Sequence, residues 1–253
     1  IQKRFVPRKA DLAMVERELQ ETGHTSVISW GRSFPKSLAA LQQVRPGLKV
    51  TYLYRGPFSI YDEEMYRSYV WDLTGLYVNP RRPCDFEIYA NTFPFQSCAA
   101  FVEASEALRI RHFGNFKAED HVGVILQDRT DQAFAFGQAV DLSHQNLITK
   151  AASEHPEADI VIAFNMSQDS ETASIQALET SLPAEIAARL RFVTSEDTAI
   201  DQLCRARQVY TVNAPLAVAP LLAGRKVTTF SSAFYAGWGL TRDNGTTLRR
   251  SRH

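Results

Sequence analysis

Cysteine is scarce in this sequence: Cys84, Cys98 and Cys204 are three scattered thiols in 253 residues. None has the C-x-x-C spacing of a zinc or redox site. An odd, dispersed set argues against a disulfide framework, so reduced thiols, buried or half-buried, are expected and no metal centre is. A surplus of charge of either sign is equally absent. Lys plus Arg equals Asp plus Glu at 28 each, which leaves no overall field to draw the chain to nucleic acid or to an acidic bilayer. The run Arg249-Arg250-Ser251-Arg252 reads as solvated tail. No apolar stretch reaches about 18 residues and no signal-peptide pattern opens the chain, so a cytoplasmic location without a direct membrane span is expected. Missing as well is a G-x-G-x-x-G after a strand pattern. Gly31 and Gly56 stand alone, which disfavours a nucleotide-sugar epimerase or dehydrogenase. The lack of internal repeats and low-complexity tracts argues against solenoids and linkers.

What is present is ordinary globular composition, 45% hydrophobic and 22% charged, in a chain long enough for one large or two small domains. Short apolar strands alternate with amphipathic helices, the pattern of βα units and a mainly parallel sheet. The first half reads as a helix over residues 9–21, with Leu12, Val15 and Leu19 on one face, then a strand over 25–30, a helix over 35–43 and a strand over 49–54. Arg55-Gly56-Pro57-Phe58 breaks the pattern. Residues 72–91 lack clear periodicity and read as a long functional loop. A helix over 97–111 precedes a hinge at 114–119. The second half reads as strands over 121–126, 159–164, 192–193 and 208–212. Between them stand helices over 143–154, 170–190 (interrupted at Pro183) and 196–206. An apolar helix from residue 214, stopped at Gly224, then leads to a β-branched strand, Val227-Thr228-Thr229.

After that strand comes Phe234-Tyr235-Ala236-Gly237-Trp238-Gly239-Leu240-Thr241, three aromatics interleaved with two glycines. Open parallel sheets bind ligands at the carboxyl ends of their strands, which is where this run lies. Gly237 and Gly239 can take positive φ and let a substrate approach the backbone, while Tyr235 and Trp238 offer flat faces with a polar tip. The competing reading is a packed loop whose aromatics plug the end of the sheet.

Read together with Leu221-Leu222-Ala223-Gly224-Arg225-Lys226-Val227-Thr228-Thr229-Phe230 before it, the octet resembles the bacterial capsule polysaccharide synthesis family, which contains retaining β-Kdo transferases. A second stretch, Asp72-Leu73-Thr74-Gly75-Leu76-Tyr77 followed by Arg82-Pro83-Cys84-Asp85-Phe86-Glu87, resembles the family's Asp-x-x-Gly-x-Tyr and Pro-Ser-Asp-Leu-Glu signature. A third, Gln127 with Asp131, resembles its Gln-x-x-x-Asp element. The resemblance implies an α/β protein of GT-B type whose two Rossmann-like halves face a cleft, with residues 1–117 on the acceptor side and 118–253 on the donor side. It implies a CMP-activated sugar acid as donor and no other cofactor, with a nucleotide sugar or glycan and capsule biosynthesis proteins as partners. Any membrane association would be peripheral, at the inner membrane and through those partners. Asp131 is the implied nucleophile, with Asp128 the nearby competitor. Gln127 would point its amide at the sugar carboxylate or the cytosine, unless it is a strand-end cap. Gln127, Asp131 and Trp238 are expected on one cleft wall. The chain begins at Ile1 and stops shortly after the octet, so a partial or unusually short representative is expected.

Three departures from the family pattern bear on activity. Ala163-Phe164-Asn165-Met166 stands where the family carries Lys-Pro-His-Pro, which removes phosphate ligands. Ala214-Pro215-Leu216-Ala217-Val218-Ala219-Pro220-Leu221 stands where it carries Ser-x-x-Gly-Phe-Glu-Ala-Leu, which removes a capping hydroxyl and an acid. Tyr54-Arg55-Gly56-Pro57-Phe58 stands where it carries Glu-Asp-Gly-Phe, and Arg55 cannot act as a general base. Two functions are compatible with this pattern. One is a glycosyltransferase-like protein with an eroded or rearranged donor site, in which Arg32, Arg55, Arg81 or Arg82 replaces the phosphate ligands. The other is a non-catalytic, transferase-like module that binds or regulates in polysaccharide synthesis.

Overall fold

The computed structural model describes residues 12–30, 41–55, 69–80, 83–92, 98–128, 133–134, 137, 142–165 and 168–245. Helix α1 (Leu12–Thr22) turns Val15 and Leu19 inward, as their helical spacing requires. Gly23 follows it with φ 65°. Strands β1 (Ser26–Trp30) and β2 (Lys49–Arg55) pair in parallel, and β3 (Tyr69–Asp72) adds antiparallel to β2. Most of the helix expected between β1 and β2 lies outside the described residues; residues 41–44 are helical and Leu41 is buried. Strand alternation sorts the two faces of this sheet. Val27, Val50, Tyr52, Tyr54 and Val70 pack with Leu19, Leu41, Leu76 and Tyr77 in one core, whereas Ile28, Tyr69 and Trp71 are exposed.

The stretch after β3 is not the long loop expected from its composition. It closes with a two-turn helix, α2 (Asp85–Thr92). The helix hides from periodicity because it is too short to repeat an apolar face and because Phe86, Ile88 and Tyr89 on it are exposed. Helix α3 (Ala99–Phe113) follows and ends at Gly114, whose N–H bonds the Ile110 carbonyl.

The second sheet holds β4 (Glu119–Gln127), β5 (Asp159–Asn165), β6 (Leu190–Val193), β7 (Ala206–Thr211), β8 (Lys226–Thr229) and β9 (Arg242–Asp243). Its order is β6-β5-β4-β7-β8-β9 and every pairing is parallel. This is the doubly wound Rossmann order: the chain builds outward from β4 to β6, then returns to β7 and builds the other way. The reversal leaves a topological switch point between the carboxyl ends of β4 and β7, the position at which such sheets bind ligands.

Helices α4 (His144–Glu154) and α5 (Gln168–Ser181) cover one face, over Val122, Val124, Leu126, Ile160 and Ile162. A single turn, α6 (Ala184–Ala187), follows Pro183. Helices α7 (Glu196–Arg205) and α8 (Val218–Leu222) cover the other face, with Leu203 and Ala219 packed among Ile125 and Val209. Ser143 and Ser195 cap α4 and α7 by accepting the N–H groups of Asn146 (3.1 Å) and Thr198 (3.4 Å). Gly123 in β4 lets α7 come close: a Cβ there would lie 2.6 Å from Leu203 Cδ2. The apolar helix expected from residue 214 is split into a 3-10 turn, Pro215–Ala217, and α8. Pro215 and Pro220 lack the N–H that a continuous helix would use.

A polar cluster sits where α4 meets β7. The Tyr210 hydroxyl donates to Glu154 Oε2 (2.7 Å) and accepts from Gln208 Nε2 (2.9 Å), and His155 Nε2 lies 3.0 Å from it. Arg207 Nη2 is 2.8 Å from His155 Nδ1. A guanidinium only donates, so Nδ1 accepts and the imidazole is the neutral Nε2–H form. Burial and the neighbouring Arg207 hold the His155 pKa below its usual 6.5. All three cysteines are free thiols, Cys84 and Cys204 buried and Cys98 half-buried.

Candidate functional site

The first signature is built around Asp72, whose side chain is buried at the end of β3. Its Oδ1 accepts the N–H groups of Thr74 (3.0 Å) and Gly75 (2.9 Å), and its Oδ2 accepts the N–H of Asp85 (3.1 Å). Asp85 answers by accepting the N–H of Leu73 (2.8 Å) and the Thr74 hydroxyl. The two pieces of the signature are thus laced together by carboxylates whose lone pairs are taken by local donors. Burial pushes the Asp72 pKa up, the N–H groups of Gly75 and Thr74 pull it back, and the Asp85 charge raises it again. Cys84 and Glu87 form a reciprocal cap on α2: the Glu87 N–H reaches Cys84 Sγ (3.4 Å) and Glu87 Oε2 accepts the Cys84 N–H (3.2 Å). This is a capping box with a thiol in place of the hydroxyl. Tyr77 stacks on Tyr54 with ring centroids 5.0 Å apart, and its N–H bonds the Tyr54 hydroxyl (3.3 Å).

The aromatic-glycine octet leaves the carboxyl end of β8, and it also packs. Gly237 and Gly239 have φ of 82° and 77°, so the left-handed backbone expected of them is there. The Gly237 N–H bonds Asp243 Oδ2 (2.9 Å), and the Trp238 indole N–H bonds the Phe234 carbonyl (2.9 Å). The Tyr235 hydroxyl is turned inward, onto the Ala214 carbonyl (2.8 Å). Phe234 packs edge-on against Tyr77 at 4.7 Å, and Phe86 of α2 meets Trp238 at 6.5 Å. The two sequence signatures therefore touch each other through their aromatic rings. Trp238 remains half-buried and Gly239 exposed, so this end of the octet presents backbone and an indole at the surface.

At the switch point Gln127 is the last residue of β4 and is 2% exposed. Its Oε1 accepts the main-chain N–H of Asn213 (3.0 Å), just past β7, so that oxygen ties the end of β4 to the end of β7. Asn213, 3% exposed, donates from Nδ2 to the Ala133 carbonyl and to Ser231 Oγ (3.4 Å). Ser231 in turn donates to the Gly137 carbonyl, which also accepts the Ser232 N–H (3.2 Å). Two atoms of this cluster, Gln127 Nε2 and Asn213 Oδ1, are buried and have no hydrogen-bond partner among the described residues. Each such orphan costs about 1–3 kcal/mol, and the pair marks a polar locus one donor and one acceptor short of complete. Sequence reasoning missed Asn213 and Ser231. Their only signal is polarity at the ends of β7 and β8.

Asp131, Arg32, Arg81 and Arg82 lie outside the described residues. Arg55 closes β2, and only its main chain is described. Asp128 follows β4 and is half-buried. Ala163 and Ala214 are fully buried, and residues 212–220 are buried without a break. The 3-10 turn at Pro215 has no side-chain cap, so a phosphate would meet methyl groups there instead of the donors of a capped helix start. Among the described residues no cluster of His, Cys, Asp and Glu is arranged to hold a metal ion.

The family described as capsule polysaccharide biosynthesis protein matches residues 69–253. The capsule polysaccharide modification protein LipA of Neisseria meningitidis serogroup B is 26% identical over 201 residues, covering 72% of this chain and 28% of LipA. The lipopolysaccharide-processing protein LpsZ of Rhizobium meliloti is 26% identical over 198 residues, covering 72% of this chain and 44% of LpsZ. The chain thus spans less than half the length of these relatives. Two solved Thermosulfurimonas dismutans KpsC structures share the fold. The beta Kdo 2,4 transferase superposes with a TM-score of 0.68 at 24% identity, covering 91% of this chain and 76% of that one. The beta Kdo 2,7 transferase superposes with a TM-score of 0.64 at 22% identity, covering 98% and 77%.

Proposed function

Because the chain belongs to the capsule polysaccharide biosynthesis family, we propose that it serves the assembly of a capsule or related surface polysaccharide as a glycosyltransferase-like protein with an eroded CMP-sugar donor site. The buried apolar run at 214–220 carries this reading. A nucleotide phosphate needs charged or N–H donors, and this segment supplies neither a capping hydroxyl nor an acid for ribose. Each lost transition-state contact costs about 2–4 kcal/mol, more in sum than one retained aspartate offsets. In this reading the half at 118–253 keeps the Rossmann sheet and its switch point, and the half at 1–117 faces the acceptor. Asp131 is the surviving candidate nucleophile, and Arg32, Arg55, Arg81 and Arg82 are the cations available to phosphate. Trp238 and the exposed backbone at Gly239 offer a sugar a flat face and a close approach, while Gly237 and the inward-turned Tyr235 hold that loop in shape.

A second reading, a non-catalytic module that binds a glycan, a nucleotide sugar or another capsule biosynthesis protein, draws support from Asp72 and Asp85. Both carboxylates are committed to local donors, so the persistence of that signature is compatible with a scaffold role. Either protein would work in the cytoplasm, peripheral to the inner membrane through its partners; no helix among the described residues is long and apolar enough to cross a bilayer.

Calorimetry with CMP and a hydrolysis assay with CMP-Kdo test the proposal. Weak CMP binding with undetectable or very slow turnover is expected. Micromolar CMP affinity together with Asp131-dependent transfer would overturn it, because a different set of residues would then have rebuilt the site.

A further inference from the structure

Helix α3 is exposed at every position except Arg109 and Phe113. Phe113 is buried in the core beneath α7 and α8, and the Arg109 guanidinium donates to the Leu222 carbonyl at the end of α8 (3.2 Å). Those two residues mark the side on which the helix is anchored. At 100° per residue, Ala100, Ala104, Ala107 and Arg111 run down the opposite side, bordered by Phe101 and Leu108 on one flank and by Glu103 and Ile110 on the other. Phe101, Val102, Leu108 and Ile110 are each at least half exposed. A helix of 15 residues is marginal in water unless a face of it is packed, and Phe113 is its one buried residue. We propose that the outer face of α3 is an interface with a second copy of this chain, the two helices lying antiparallel across a two-fold axis.

The face is complementary to itself in that orientation. Reversed against its own copy, the alanine seam sets Ala104 against Ala107 and lets the helix axes approach to about 8 Å, the close end of the usual range. Phe101 then meets Leu108 of the other copy and Glu103 meets its Arg111, each pair occurring twice by symmetry. A parallel pair would set Glu103 beside Glu103 and Arg111 beside Arg111, like charge on like. Both charges are available. Glu106 is taken by Arg109 within the helix (2.6 Å), whereas Glu103 and Arg111 make no ion pair among the described residues. A bilayer fits this face less well, because helices that lie on membranes carry a polar border rich in lysine and arginine and this one bears an acid opposite a base. At 1.5 Å per residue α3 is about 22 Å long, too short to bury the roughly 1,200–2,000 Å² of a standard interface by itself, so the association is weak and reversible.

The test is sedimentation velocity of the whole chain, from about 1 to about 300 µM at about 50 mM salt. A reversible monomer–dimer equilibrium with a Kd on the order of 10–100 µM is expected. A monomer throughout that range overturns the proposal. Leu108→Glu sets a carboxylate against Phe101 of the other copy and should raise Kd at least about tenfold at an unchanged melting temperature, since Leu108 is exposed in the monomer. A dimer indifferent to that change lies on another surface and overturns the proposal equally. Arg111→Glu alone should raise Kd about threefold to tenfold, and Glu103→Arg added to it should restore the wild-type value, because both charges of each pair are then reversed together. Weakening without restoration overturns the antiparallel pairing. Should Leu108→Glu lower the melting temperature, the charge reversal and its rescue decide in its place, since both residues stand in water in the monomer.

Discussion

Asp72 shows how one buried carboxylate can organise a turn through both of its oxygens. Three main-chain N–H groups, from Thr74, Gly75 and Asp85, converge on its two oxygens. Asp72→Ala leaves those donors without their acceptor around a buried void, so we expect a loss of about 2–4 kcal/mol in urea denaturation. Asp72→Asn, which keeps one carbonyl oxygen, should lose less. A variant as stable as wild type would show that water replaces the carboxylate at no cost. This role was partly legible in the sequence, because an aspartate three residues before a glycine is a common turn device. Asn213 was not legible. A single polar residue between Val212 and Ala214 reads as an ordinary turn, and its partners stand 86, 80 and 18 positions away. Only the folded sheet brings them together.

Elements, by contrast, announced themselves wherever one face is buried and long enough to repeat. The strands expected at 121–126 and 159–164 are there as β4 and β5, and the serine before α4 caps it. Helix α2 failed that test because two turns give no period, and the 3-10 break before α8 because prolines inside an apolar run still look helical. The close fit of β4 against α7 makes a prediction at this scale. Gly123→Ala drives a methyl group into Leu203 and should cost about 1–3 kcal/mol through overpacking. Combined with Leu203→Ala, the loss should be smaller than the sum of the two single losses, since the second change makes room for the first. Strict additivity in chemical denaturation would rule out the contact.

The junction of α4 and β7 makes the stability of the second sheet depend on pH. His155 is held neutral by burial and by Arg207, so its folded pKa lies below the unfolded value of 6.5. Above 6.5 both states carry neutral imidazole and the contribution is complete. As pH falls below 6.5 the unfolded chain takes up the proton first, and stability is lost until the folded pKa is passed. The urea midpoint should therefore fall between about pH 7 and 5.5, and fall less steeply in His155→Gln. Parallel pH profiles for the two proteins would show that another group is responsible.

Across the whole molecule, Phe234 is the shared piece. It packs against the core of the first sheet and also against the core beneath α7 and α8, with Tyr77 edge-on at 4.7 Å. Phe234→Ala should cost about 3 kcal/mol and, more tellingly, should separate the melting of the two sheets. A single sharp transition in calorimetry after that change would mean that other contacts suffice to couple them.

The distance along the chain between those two rings has a consequence for biosynthesis. Phe234 is made more than 150 residues after Tyr77. At about 5–20 residues per second, a ribosome needs roughly 10–30 s to supply the second ring after the first. Throughout that interval the nascent chain holds out Tyr77 without its edge-on partner. Such surface is what holding chaperones bind, so the emergence of the octet is the step that covers the Tyr77 ring during translation.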